Sequence, residues 1–315
     1  MRTYRAKLRL LSPLATRVTG DALFGCVCWG IRYNESEGAL LEFLDQFDAN
    51  PFVISDGFPA GTLPRPLLSP EKHVTAITLV QLNKRKRIKK MDYVPADVLL
   101  GSEKTPVSDK AVVDMLFDLE DYMDTLRPFG VPRMHNTMNR VTNTVEESAL
   151  YAVNEMWFKE GSILDVYIAT SVDVSTTGRL LEWGLSQGYG ADRSIGKGRM
   201  AVEAVEESRF PNNGNRCLAL GSFIPKETQT ISDLRAFVMS KFGKLGGHYA
   251  NSMNPFKRPF IMYASGATFD AAAFSGDYVG QLLKNVHQDQ RIRHHACAPV
   301  LKFHAEEGDN ETVQS

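Results

Sequence analysis

The twelve residues Gly188-Tyr-Gly-Ala-Asp-Arg-Ser-Ile-Gly-Lys-Gly-Arg199 combine four glycines with three basic side chains. Glycine lets backbone N–H groups approach an anion with no Cβ in the way. Arg193, Lys197 and Arg199 place positive charge beside those amides, and Ser194 adds a hydroxyl. The chemistry is phosphate capture, and chain order restricts whose phosphate it is. A Walker loop needs Gly, four residues, Gly, Lys and then Ser or Thr. Counting from Gly196-Lys197, the first glycine position is Ala191 and the hydroxyl position is Gly198. A dinucleotide fingerprint must follow a strand and open a helix; Gly196-Lys-Gly-Arg-Met-Ala201 spells a weak version in the wrong place. The helical pattern 178–185 precedes this loop and the strand pattern 200–205 follows it. That order favours a polynucleotide backbone over a nucleotide cofactor. A flexible connector with surface Lys and Arg is the plain alternative.

The other reactive side chains are scattered. His135 lies in the polar stretch Pro132-Arg-Met-His-Asn-Thr-Met-Asn-Arg-Val-Thr-Asn-Thr-Val145, where it could act as a general acid or base on RNA or stack on it. Asp21 could hold a metal, but an acid in a first helical turn also complements the helix end. His294, His295 and Cys297 are close in sequence but lack a further paired ligand motif and read as structural. Lys84-Arg-Lys-Arg-Ile-Lys-Lys90 has six cations in seven residues. It could touch phosphate or be offset by the acidic helix 108–126, which shows Asp114, Asp118, Asp121 and Asp124. No metal or cofactor is implied.

Composition is ordinary and globular: 315 residues, 43% hydrophobic, 23% charged, net charge −1. Any anion site must therefore be a local cluster rather than a whole-molecule field. The four cysteines form no CxxC pair, which indicates neither a zinc site nor a disulfide framework. No apolar run is long enough to span a membrane, and a reduced cytoplasmic compartment is the expectation.

These side chains need elements to position them. Tyr4, Ala6, Leu8 and Leu10 alternate with Arg5, Lys7 and Arg9, predicting a half-buried strand over 3–11. Thr19 is a candidate N-cap for a helix with Leu23, Val27 and Ile31 at helical spacing. Residues 50–70, rich in Pro and Gly, read as irregular extended chain. Strands are predicted at 149–157 and 163–170, joined as a hairpin by Lys159-Glu-Gly-Ser162, followed by a helix at 176–187. With the insert at about 50–148 removed, residues 1–207 read βαββαβ, a ferredoxin-like or RRM-like unit. A turn-rich link at Pro211-Asn-Asn-Gly214 opens a second such unit over 208–304, with strands at 217–223, 258–263 and 299–304 and a capped helix at 232–241. Residues 305–315 read as a disordered acidic tail. The fold class is α+β.

In this order and spacing, Thr19-Gly-Asp-Ala-Leu-Phe-Gly25, Ile54-Ser-Asp-Gly-Phe-Pro59, Asn139-Arg-Val-Thr-Asn-Thr-Val-Glu146, the glycine loop and Ala264-Ser-Gly-Ala-Thr-Phe269 resemble the RAMP superfamily of CRISPR proteins. More narrowly, the chain resembles the Csm-type subunit of type III-A effector complexes that holds the 5′ repeat-derived tag of the crRNA. The resemblance covers about residues 3–304. It implies a non-catalytic RNA-binding part that contacts a large polymerase-like subunit and a backbone RAMP subunit, and meets target RNA only indirectly. The implied RNA contacts are Gly188, Gly190, Arg193, Ser194, Ile195, Gly196, Lys197, Gly198 and Arg199 in the loop. A thumb-like hairpin would add His135, Asn139, Arg140, Thr142 and Asn143, and the 264–269 segment would add Ser265 and Gly266. Lys197 stands where the family loop often carries an aromatic residue. Some RAMP relatives are endoribonucleases that process crRNA precursors, and that remains the alternative.

Overall fold

The computed structural model describes residues 1–69, 79–139, 141–142 and 144–306. It is a mixed α+β structure with several antiparallel sheets. The first sheet is built from β1 (Arg2–Leu10), β2 (Phe52–Ile54), β3 (Phe58–Pro59), β8 (Ile163–Thr170) and β9 (Met200–Glu207). Its order is β2-β8-β1-β9, with β3 also on β8. The alternation read in the sequence decides its faces: Tyr4, Ala6 and Leu8 are buried. On the other face Arg5 and Lys7 meet Glu206, and Arg9 meets Glu203, across β9. The basic outer row of β1 is therefore neutralised within the sheet.

Helices α1 (Gly20–Asn34) and α7 (Val174–Leu185) pack on this sheet, with α2 (Glu37–Asp45) beside α1. Leu23, Val27 and Ile31 point inward, as their spacing required. The two main helices approach at glycines: a Cβ on Gly30 would lie 2.7 Å from the Gly184 nitrogen.

The insert is ordered where it is described. Strands β4 (Thr62–Pro64) and β5 (Tyr93–Pro95) pair, and helices α3 (Leu79–Ile88), α4 (Ala96–Leu100), α5 (Asp109–Asp118) and α6 (Glu120–Thr125) surround them. Leu63, Val94, Leu99 and Leu116 form a second core with Leu218, Leu301 and Phe303. The Ser108 hydroxyl caps α5 by accepting from the Ala111 amide. Lys84 and Arg87 of the basic run converge on buried Glu120, at 3.5 and 2.9 Å. The offsetting acid is thus Glu120; the four aspartates are exposed.

The second sheet contains β10 (Arg216–Ala219), β13 (Thr268–Asp270), β14 (Tyr278–Leu283) and β15 (His294–Phe303), in the order β13-β10-β15-β14; β11 (Val238–Lys241) and β12 (Phe260–Tyr263) pair separately. Strand β15 joins the parts: Cys297 packs into the first core, Leu301 and Phe303 into the second, Ala298 and Val300 into the third.

Three expectations are corrected. The strand 149–157 does not pair with 163–170. It belongs to β7 (Thr144–Trp157), whose partner is β6 (Phe129–Asn139). The turn at Lys159–Ser162 exists, but it leads from that ribbon into the first sheet, where β8 finds apolar partners in β1 and in Phe52–Ile54. Residues 52–54, read as irregular, thereby supply the second strand of the unit, so the long insert follows that strand instead of preceding it. The helix at 232–241 does not form, and no α-helix is present over 208–304 among the described residues. Asp233 sits at φ 44°, and Arg216 bonds its carboxylate and, at 3.0 Å, its carbonyl. Arg235 pairs its backbone with Thr268, which holds the segment extended. Arg140, Asn143 and residues 307–315, most of the expected acidic tail, lie outside the described residues.

Candidate nucleic-acid interface

The glycine loop runs from the end of α7 to the start of β9, with a single 3₁₀ turn at Arg193–Ile195. Gly188, Gly190, Gly196 and Gly198 all have positive φ, between 68 and 92°. Asp192 joins them at φ 59°, a conformation that Asp tolerates better than most residues. Successive left-handed residues fold the chain back on itself. The Tyr189 amide donates to the Gly198 carbonyl at 2.8 Å, and the Gly198 amide donates to Pro13 at 2.9 Å. Tyr189 is fully buried, and its hydroxyl donates to the Arg17 carbonyl and accepts from the Thr19 amide. The loop is anchored by specific bonds rather than being a loose connector.

Those bonds sort the loop's cations. Lys197 is buried, with its ammonium 2.8 Å from Asp192 and 3.2 Å from Glu155 on β7. Glu155 is buried too, and accepts from Trp157 at 2.9 Å while pairing with Arg133 of β6 at 3.3 Å. Burial would raise the Glu155 carboxyl, but bonds from Lys197 and Trp157 outweigh it and hold it below the ordinary glutamate value. Lys197 therefore ties the loop to the base of the β6–β7 ribbon. Arg193 is half-exposed; Ser194 and Arg199 are exposed. With Gly188 and Gly196 these three line a cleft of about 610 Å³ whose other walls come from α7, Leu11 and the start of β9. Ile195 is 62% exposed at the loop tip. Gly190, Arg193 and Ser194 also line a larger cleft of about 1010 Å³ on the α1 side.

The remaining residues singled out in the sequence lie elsewhere. His135, half-buried on β6, stacks on its cross-strand neighbour Tyr151 with centroids 5.6 Å apart. Asn139 ends β6, and Thr142, in the turn, shares a 2.8 Å hydroxyl contact with Thr144. Among the described residues the ribbon's one further bridge is from Met156 to Leu14, and it exposes Met134, Met138, Leu150 and Tyr151. Ser265 and Gly266 belong to a turn after β12 that grips the proline-rich segment: the Gly266 carbonyl accepts from Leu67, and its amide donates to Ala219. Neither lines either cleft. The structure thus joins the loop to the ribbon through Lys197 and Glu155, and keeps the 264–269 turn with the insert.

Sequence reasoning missed Asp56. Its carboxylate accepts from the Gly20 amide at 2.8 Å, so it caps α1 where the Thr19 side chain makes no capping bond. The Asp-Gly spelling of residues 56–57 carries no sign of this role, because the partner lies 36 residues away. Asp21, weighed as a metal ligand, is paired with Lys241 at 2.7 Å. Among the described residues no group of three or more His, Cys, Asp or Glu is placed to hold a metal. No helix among them is long and apolar enough to cross a membrane.

No family model matches this sequence, and no curated protein matches it. Solved structures do. A Csm1-Csm4 cassette in complex with pppApA is 16% identical, covering 98% of this chain and 100% of the matched one, at a TM-score of 0.54. The cassette in complex with cA4 gives 15%, 97%, 100% and 0.54 for the same quantities. A Csm3-Csm4 subcomplex in the type III-A CRISPR-Cas interference complex gives 13%, 96%, 99% and 0.54. At these identities the likeness is one of fold, and the fold of this chain is that of Csm4, the subunit these assemblies share.

Proposed function

We propose that this chain is a non-catalytic crRNA-binding subunit of a type III-A CRISPR interference complex, one that clamps the 5′ repeat-derived tag. One observation carries the reading: a glycine loop in left-handed conformation, between a helix and a strand, lines a cleft with Arg193, Ser194 and Arg199. Backbone amides and a few cations suit sequence-independent capture of a single strand. The ribbon β6–β7 is the counterpart of the thumb, with Asn139 and Thr144 at the ends of its strands, and Lys197 sets its base against the loop. Ser265 and Gly266 of the 264–269 turn add further RNA contacts.

The chain bridges a large polymerase-like subunit to the backbone filament, and meets target RNA through them. Csm1 and Csm3 accompany Csm4 in the similar assemblies, which supports both partners. The units are 1–207 and 208–304, and the compartment is the cytoplasm. Two observations favour this reading over an endoribonuclease. His135 stacks in the ribbon instead of lining the loop cleft, and the Asp21 carboxylate is already engaged by an ammonium group.

The experiment is co-purification of the tagged chain from its host, with sequencing of bound RNA and identification of bound proteins. Discrete RNAs sharing one repeat-derived 5′ end, together with the two partner subunits, are expected. Absence of both, or cutting of repeat RNA by the purified chain and its loss in His135→Ala, would overturn the reading.

A further inference from the structure

The larger cleft is bounded by α1, loop residues 189–194, the segment 241–251 and the start of β15. Eight lysines and arginines against three carboxylates line it, in a chain whose net charge is −1. Cations gathered around a concavity focus positive potential inside it. Five are paired with carboxylates: Lys241 with Asp21, Arg32 and Arg291 with Glu37, Arg17 with Asp92 and Arg293 with Asp45.

Lys257 is different. Its ammonium donates to the Arg293 carbonyl at 2.8 Å and lies 3.3 Å from His294 Nδ1. Among the described residues it has no carboxylate within ion-pair distance. An ammonium group can only donate, so Nδ1 accepts, and the neutral imidazole carries its proton on Nε2. Burial, with Lys241 nearby, lowers Lys257 to about 8 despite the opposing pull of Asp21 and Cys28. His294 is lowered as well, chiefly by burial, and adds no charge. Phe242 lines the same cleft; it is 60% exposed and stacks one face on Phe256, with centroids 4.7 Å apart. Arg193 and Ser194 line both clefts, so a strand held at the glycine loop has a continuous route into this one.

We propose that this cleft is a second RNA contact, in which Lys257 anchors a backbone phosphate and Phe242 offers a ring face to an adjacent base. The proposal rests on the RNA-binding reading above. It differs from that reading in assigning a separate set of residues with its own pH dependence. A bound phosphate supplies the anion that Lys257 lacks and favours its charged form.

The test is titration of the full chain with a fluorescently labelled, unstructured single-stranded RNA at pH 7 and pH 9. The charged form binds and the free group titrates near 8, so wild-type affinity falls about tenfold across that interval. Lys257→Met is expected to bind about tenfold more weakly at pH 7 and to lose that pH response. Lys257→Arg, charged throughout, keeps its affinity at both values, and Phe242→Ala weakens binding at both. Thermal unfolding of each variant checks that it is folded. RNA binding by Lys257→Met with wild-type affinity and pH profile would overturn this proposal while leaving the glycine-loop reading intact. No RNA binding by the folded wild-type chain overturns both, as does capture of an acidic poly-glutamate peptide in preference to RNA.

Discussion

The Tyr189 amide donates to the Gly198 carbonyl at 2.8 Å, and the two backbones run so close that a Cβ on Gly198 would overlap the Tyr189 carbonyl oxygen. Gly198 also sits at φ 68°. Gly196, at φ 92°, has open space where its Cβ would go. The pair makes a controlled comparison within one loop. Gly196→Ala meets only the backbone penalty, about 1 kcal/mol. Gly198→Ala adds a steric conflict with backbone, which cannot rotate away, and is expected to cost about 3 kcal/mol. Thermal unfolding of the two variants measures the difference; equal costs would show that the loop is not pinned at Tyr189.

Lys197 and Glu155 hold the loop to the ribbon. Removing the ammonium in Lys197→Met leaves the shielded Glu155 carboxylate with only Trp157 and the exposed Arg133 as partners and is expected to cost about 2 kcal/mol. Adding Glu155→Gln should return part of that loss, since the buried carboxylate charge is then gone. The folded Glu155 value is depressed, so its contribution is complete above the ordinary glutamate range. It is lost as pH falls through the folded value. A double-mutant cycle in denaturant, repeated at pH 7 and in acid, reads both effects.

Asp56 has the opposite sign. Burial raises its carboxyl to about 7, against the Gly20 amide bond that favours the charged form. A raised carboxyl stabilises the fold below the unfolded value near 4 and loses that contribution as pH rises toward 7. Asp56→Asn keeps an acceptor for Gly20 and is expected to match wild type near pH 4 but to be the more stable at pH 8. Asp56→Ala removes the cap and should cost about 1 kcal/mol near pH 4. Unfolding midpoints across pH 4–8 check both variants.

Contacts to phosphate are read in the salt dependence. Replacing Arg193 or Arg199 by Ala should lower the slope of log affinity against log salt by roughly 0.7 to 1. Lys302, on β15 beside β10, lines neither cleft, and Lys302→Ala should leave the slope unchanged. Equal effects at all three positions would sink the loop assignment.

Local pattern by itself determined much of this protein. Period-2 alternation fixed β1, because a strand buries alternate side chains. Helical spacing fixed α1 and α7, and the order helix, glycine loop, strand followed from residue types that allow left-handed backbone. Pattern failed where a long-range partner outweighed a local preference. Residues 52–54 look irregular beside their prolines, yet β8 recruits them as an edge strand. Residues 232–241 have a helical pattern, yet Arg216 fixes Asp233 and Thr268 pairs with Arg235 to hold them extended. The charges tell the same story. The dense run at 84–90 advertises itself in the sequence, but Lys84 and Arg87 turn to Glu120. The larger cleft instead gathers Arg193, Lys244 and Lys257, each from a separate segment of the chain. Only tertiary structure could bring them to one cleft, because electrostatic potential sums over space and a sequence records only neighbours along the chain.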